Sequence, residues 1–135
     1  MVYLKAGDLA RIIRLLHTRK TISFLMNYQH KDLAAGRWSQ LPLIEQMANI
    51  GSEVERALNW RIKNNVDYTQ KAFERALELI DLTLENEKNY AHLQEITRLR
   101  EAIVDYFFGV NQFMSSERSW RNYFLSFTYA SRRNH

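Results

Sequence analysis

A chain of 135 residues without cysteine excludes a disulfide scaffold, a thiolate metal site and a cysteine nucleophile. One proline and four glycines are too few for the turns of an all-β fold, and 46% hydrophobic residues argue against a disordered chain. The longest apolar runs are far shorter than the ~18 residues that a membrane span needs. We therefore expect a helical protein of the cytoplasm with no membrane contact.

The net charge of +4 is concentrated at the start of the chain. Residues 1–25 hold five of the 19 basic residues but only one of the 15 acidic ones, so residues 26–135 are balanced. Apolar side chains at helical spacing follow Asp8, which predicts a basic amphipathic helix. We expect this segment to be an additional helix of the fold. Three other origins stay open: it lies upstream of a natural start at Met26, it is appended and non-native, or it is a targeting presequence. We interpret residues 26–135 as one helical-bundle domain.

Four further segments have the apolar periodicity of amphipathic helices. The loops between them are short, which favours antiparallel neighbours. The sequence therefore predicts an all-α fold, an up-down four-helix bundle with an additional N-terminal helix. The four predicted helices cover about residues 40–63, 68–86, 90–108 and 116–131.

The first of these helices has the most regular apolar seam. From Leu43 to Arg61 its seam positions are spaced alternately by four and three residues, as in helices that pack closely side by side. Gly51 interrupts this seam, where a glycine costs about 1 kcal/mol relative to alanine. Two interpretations stay open: another helix approaches closely at Gly51, or the glycine is merely tolerated.

Motifs that would carry chemistry are missing. The four histidines are His17, His30, His92 and His135, and none follows a glutamate by three residues, as a di-iron bundle requires. The chain has no nucleophile-elbow motif and no glycine-rich phosphate loop. We therefore expect no catalytic residue, no metal ligand and no cofactor.

Aromatic side chains are densest near the end of the chain, with nine between residues 106 and 129. They predict a bundle core continued into a subunit interface, in preference to a stacking platform for single-stranded nucleic acid. The candidate contact surface consists of Trp120, Tyr123, Phe124, Phe127, Arg118 and Arg121. A smaller candidate, a pocket, consists of Trp60, Arg61 and Tyr106.

Three blocks of sequence resemble a family of small, uncharacterised, all-helical prokaryotic proteins: LIEQMANIGSEVERALNW from Leu43, AFERALEL from Ala72 and RLREAIVDYFF from Arg98. The predicted bundle is also similar in outline to HEPN domains, helical modules of nucleotidyltransferase-linked and RNA-cleaving toxin systems. Active members of that group carry an arginine and, after four to six residues, a histidine. Only Arg11 and His17 match this spacing, and they lie in the N-terminal segment instead of on a late helix.

The leading hypothesis is a non-enzymatic protein that acts through protein–protein contacts as a homodimer, with a further protein partner possible. The alternative, which the resemblance implies, is a HEPN-like protein that binds or cleaves RNA in a toxin–antitoxin type of system. Nucleic acid is the less favoured partner, because the balanced charge of residues 26–135 implies no anionic ligand.

Overall fold

A computed structural model describes residues 36–133 of the chain. This part is all-α, as predicted, and contains four long helices and no strand. The predicted basic segment 1–25 and its additional helix lie outside the described residues. The helices are α1 (Leu43–Ile62), α2 (Val66–Glu85), α3 (Leu93–Phe108) and α4 (Glu117–Arg133), and short 3₁₀ turns cover Trp38–Gln40 and Glu87–His92.

The helix ends differ from the predicted ones by a few residues, for local reasons. Helix α1 begins after Pro42, because the residue before a proline avoids the helical conformation and Leu41 is extended. Helix α2 begins two residues earlier than predicted, with Asn65 as its cap. The Asn65 side-chain oxygen accepts a hydrogen bond from the backbone N–H of Tyr68 at 3.0 Å.

Helix α1 is the central element of the described chain, since it packs against both α2 and α4, while α3 packs against α2. Ion pairs connect these helices, with Glu53 of α1 bound to Arg75 of α2, and Asp81 of α2 bound to Arg100 of α3. The backbones of α3 and α4 scarcely approach each other, and the rings of Tyr106 and Trp120 make contact between them.

Helices α1 and α4 approach each other closely at Gly51. A Cβ atom built on this residue would lie 2.8 Å from the Cβ and Cγ atoms of Phe124 on α4, which is closer than atoms in ordinary contact. Of the two interpretations of this glycine, the structure supports the close approach of another helix. In the middle of the predicted seam, Met47, Ile50, Val54 and Ala57 are buried in the core. At its two ends, Leu43 is partly buried and Arg61 is exposed.

A buried polar network joins the first 3₁₀ turn to the end of α2, and the sequence analysis did not foresee it. The indole N–H of Trp38 donates to Thr83 Oγ1 at 2.9 Å, and Gln46 Nε2 donates to the Trp38 carbonyl at 2.9 Å. Asn89 Nδ2 in turn donates to Gln46 Oε1 at 2.9 Å. Because each of these buried groups is paired, the network fixes the entry of the chain into α1.

Candidate functional site

The space between α3 and α4 is an open groove with a volume of about 680 Å³. It lies where the two helix backbones diverge, and the loop of residues 109–116 closes one end. Its walls are mainly apolar, with a few polar side chains among them. The lining residues are Glu95, Arg98, Leu99, Ala102, Phe113, Met114, Ser115, Ser119, Trp120 and Tyr123.

Internal hydrogen bonds hold the loop at the end of the groove in one conformation. The Asp105 carboxylate, at the end of α3, accepts from the backbone N–H groups of Gln112 at 2.9 Å and Phe113 at 3.1 Å. Asn111 and Ser115 form two reciprocal hydrogen bonds, each 2.9 Å long, between the Asn111 side chain and the Ser115 backbone. The loop is thus a fixed wall of the groove.

Met114 stands at the rim of the groove in a conformation that side chains rarely adopt. Its φ angle is +53°, and 86% of its surface is exposed, more than for any other large apolar residue that the structure describes. A left-handed residue that is neither glycine nor asparagine is strained by about 1 kcal/mol or more, and an exposed methionine contributes little to the core. Strain and exposure together make Met114 a candidate contact residue of the groove.

Two N–H groups at the base of the groove lack an acceptor. Arg98 Nε and Trp120 Nε1 are covered by the protein, and neither has a hydrogen-bond partner among the described residues. A buried donor without an acceptor costs about 1–3 kcal/mol, so such groups are few in folded proteins. Beside them the Tyr123 hydroxyl donates to Glu95 Oε1 at 3.2 Å. Burial, followed by the nearby Glu95 carboxylate, raises the pKa of Tyr123, whereas Arg98 lowers it.

The six residues of the predicted contact surface do not form one surface. Trp120 and Tyr123 line the groove, with Trp120 only 6% exposed. Phe124 is buried against α1, and Phe127 packs partly on the core. Arg118 is exposed and does not line the groove.

Arg121, the sixth residue, joins α4 to α1. It forms an ion pair with Glu55 at 3.1 Å, donates to Asn59 Oδ1 at 2.9 Å and also contacts Glu117. Of the residues that line the groove, only Trp120 and Tyr123 belong to the predicted contact surface, and those that the sequence did not indicate include Glu95, Arg98 and Met114. Nothing local distinguishes this glutamate and arginine from other charged residues of a helical surface.

The predicted pocket is partly assembled. The Arg61 guanidinium carbon lies 4.8 Å from the centre of the Tyr106 ring, and Arg61 Nη1 donates to the Tyr106 carbonyl at 3.4 Å. Trp60 instead packs edge-on against Tyr68, with their ring centres 4.7 Å apart. The structure therefore brings Arg61 and Tyr106 together and places Trp60 in a different contact.

Residues 36–133 contain no group of three side chains suited to holding a metal ion. No helix in this part of the chain is long and apolar enough to cross a membrane. Comparison of the chain with protein families, with curated proteins and with solved structures found no match in any of the three.

Proposed function

We propose that this protein is an interaction module that forms a homodimer through the groove between α3 and α4. Its scaffold is an up-and-down bundle of the four described helices, in which each helix runs antiparallel to the one before it. Two contacts between α2 and α3 support this arrangement. Phe73, in the first half of α2, contacts Phe107 at the end of α3, and Asp81, near the end of α2, pairs with Arg100 further back along α3.

The observation that carries the proposal is the pair of unpaired N–H groups at the groove, on Arg98 and Trp120. Elsewhere in the described chain, arginines such as Arg75 and Arg100 bind a carboxylate. Arg98 is half-buried and has no such partner within the part of the chain that the structure describes. A groove that combines apolar walls with an unneutralised, half-buried cation is suited to a protein surface that supplies a carboxylate.

The chain itself offers the carboxylate, which favours a second copy as the occupant. Glu95 and Arg98 are three residues apart on α3 and line the same groove. If a two-fold axis passes between them, each Glu95 lies opposite the Arg98 of the other copy, and two equivalent ion pairs form. Met114 at the rim then loses its exposed surface to the other copy. Because Glu95 and Arg98 carry opposite charges one helical turn apart, this stretch of α3 is complementary to the same stretch of a second copy.

The test is a charge reversal followed by light scattering at micromolar protein concentration. We expect a dimer for the unaltered protein, and mainly monomers for Arg98→Glu and for Glu95→Arg, because each single change places like charges opposite each other. The double variant Glu95→Arg with Arg98→Glu should restore the dimer. Arg118→Glu is the matched control, since Arg118 is exposed outside the groove. A monomeric unaltered protein, or a double variant that is monomeric yet folded, would refute the proposal.

The alternative of a HEPN-like RNA-binding or RNA-cleaving protein stays a prediction. Its candidate residues, Arg11 and His17, lie outside the described residues. Residues 36–133 carry equal numbers of basic and acidic side chains, so no observation of this part favours a nucleic-acid ligand. Location in the cytoplasm also stays a prediction.

A further inference from the structure

A second cavity, separate from the groove, lies at the end of the molecule where α1 turns into α2. Its volume is about 280 Å³. The rings of Phe73, Phe107 and Phe108 form its apolar wall, while Arg61 and Asn64 contribute polar groups. None of its lining residues also lines the groove between α3 and α4. The cavity therefore combines an apolar wall with a cation, as small amphiphilic ligands require.

Aromatic rings hold the cation of this cavity in place. The guanidinium carbon of Arg61 lies 4.8 Å from the centre of the Tyr106 ring and 5.7 Å from that of the Phe107 ring. A guanidinium stacked in this way has lost much of its rotational freedom before any ligand binds. The guanidinium is planar, and its N–H groups form a rigid fork that matches the two oxygens of a carboxylate.

No acidic side chain neutralises this arginine. None of the ion pairs within residues 36–133 involves Arg61, whereas Arg56 of the same helix pairs with Glu53 at 2.8 Å. The Arg61 N–H groups make one long hydrogen bond, of 3.4 Å, to the neutral carbonyl of Tyr106. The positive charge at this cavity is thus fixed in position and free to bind an anion.

We propose that this cavity binds a small monocarboxylate with an apolar body, such as an aryl carboxylate. The carboxylate forms a two-pronged contact with the Arg61 guanidinium, and the apolar body packs against Phe73, Phe107 and Phe108. The modest volume restricts the body to one ring or a short chain. Asn64 also lines the cavity and contributes a second polar side chain to it.

The test is titration of the full chain with sodium benzoate, followed by two-dimensional amide NMR. We expect saturable shifts of residues around the cavity and none with benzamide, which has the same shape but no charge. Arg61→Met, which keeps the apolar stem over Tyr106, should weaken binding about tenfold or more, and Arg61→Lys should weaken it less. Folding of each variant is checked by the dispersion of the same spectra.

Lys63→Met is the matched control, because Lys63 is a cation of the same turn that does not line the cavity. It should change the dissociation constant less than twofold. Absence of saturable benzoate binding at millimolar concentration would overturn the proposal. Equal binding by folded Arg61→Met, or equal weakening by Lys63→Met, would do so as well. Charge reversal at the α3–α4 groove leaves this result unchanged, so this proposal and the dimer fail or succeed separately.

Discussion

Replacement of Gly51 by alanine should destabilise this protein. In a helix whose surface is not packed closely against another helix, the same replacement is stabilising. In a helix without close neighbours, alanine is favoured over glycine by about 1 kcal/mol. At Gly51 the new Cβ atom would lie 2.8 Å from Phe124 Cβ and Cγ and 2.9 Å from Phe124 Cδ1. Carbon atoms in good contact are about 3.5–4.0 Å apart, so α4 must move away from α1 by several tenths of an ångström.

The magnitude is the difference between these two effects. An extra methyl group in a filled core costs about 1–3 kcal/mol, because the neighbours shift and lose contacts. Relief is difficult at this site, because Phe124 Cβ is attached directly to the backbone of α4 and cannot rotate away. After the gain in helix propensity, we expect a net loss of about 1 kcal/mol in the free energy of unfolding. For a domain of this size that corresponds to about 4 °C in melting temperature.

The assay is urea unfolding followed by circular dichroism, at one fixed protein concentration because dimerisation would also change the apparent stability. Ser52→Ala is the matched control, since Ser52 follows Gly51 in the same helix but is exposed. This control should change the free energy of unfolding by no more than about 0.5 kcal/mol. If Gly51→Ala proves more stable than the unaltered protein, the close packing of α4 on α1 is wrong.

Two further predictions concern buried polar groups. Because burial and Glu95 raise the pKa of Tyr123 above its ordinary value of 10.0, the folded protein keeps a proton that the unfolded chain releases, and stability should fall as the pH rises above about 10. We expect Tyr123→Phe to lessen this fall when urea unfolding is measured at several pH values. Tyr90→Phe, at an exposed position, should not lessen it. If the free energy of unfolding falls equally with pH in all three proteins, the prediction is wrong. Asn89→Ala leaves the buried Gln46 Oε1 atom without its donor. It should lower the free energy of unfolding by about 1–3 kcal/mol in the same assay. A loss below about 0.5 kcal/mol would show that the buried polar network does not fix the turn at Trp38–Gln40.

The sequence was sufficient to predict the helices, because their periodicity is local. The seam of α1 marks its buried face, and Asn64, just after the end of α1, has a left-handed backbone conformation that a helix cannot continue through. The helix ends are predicted less well, because several residues that can cap a helix stand close together. At the start of α2, for example, Asn64, Asn65 and Asp67 could each be the cap, and the structure has Asn65. At Gly51 the sequence leaves a close helix approach and a merely tolerated glycine open, and the contact with Phe124 decides between them.

The candidate sites could be predicted only in part. Tyr123 and Arg61 were identified as members of contact and pocket sets, because aromatic and cationic side chains stand out in a sequence. Arg98 and Met114, which line the groove together with Tyr123, are not predicted. Arg98 is distinguished by an acceptor that is missing among the described residues, and Met114 by a φ angle of +53°. Neither the missing acceptor nor the backbone angle can be derived from the order of the residues.

One physical cause separates what the sequence determines from what only the tertiary structure determines. A helix is stabilised by contacts between residues three or four positions apart, so its presence and its apolar face can be derived from the order of the residues. The placement of one helix against another depends on contacts between distant residues, such as Gly51 with Phe124 and Trp38 with Thr83. Only after these contacts form is Trp120 buried while Met114 stays exposed, and only then does a groove open between α3 and α4.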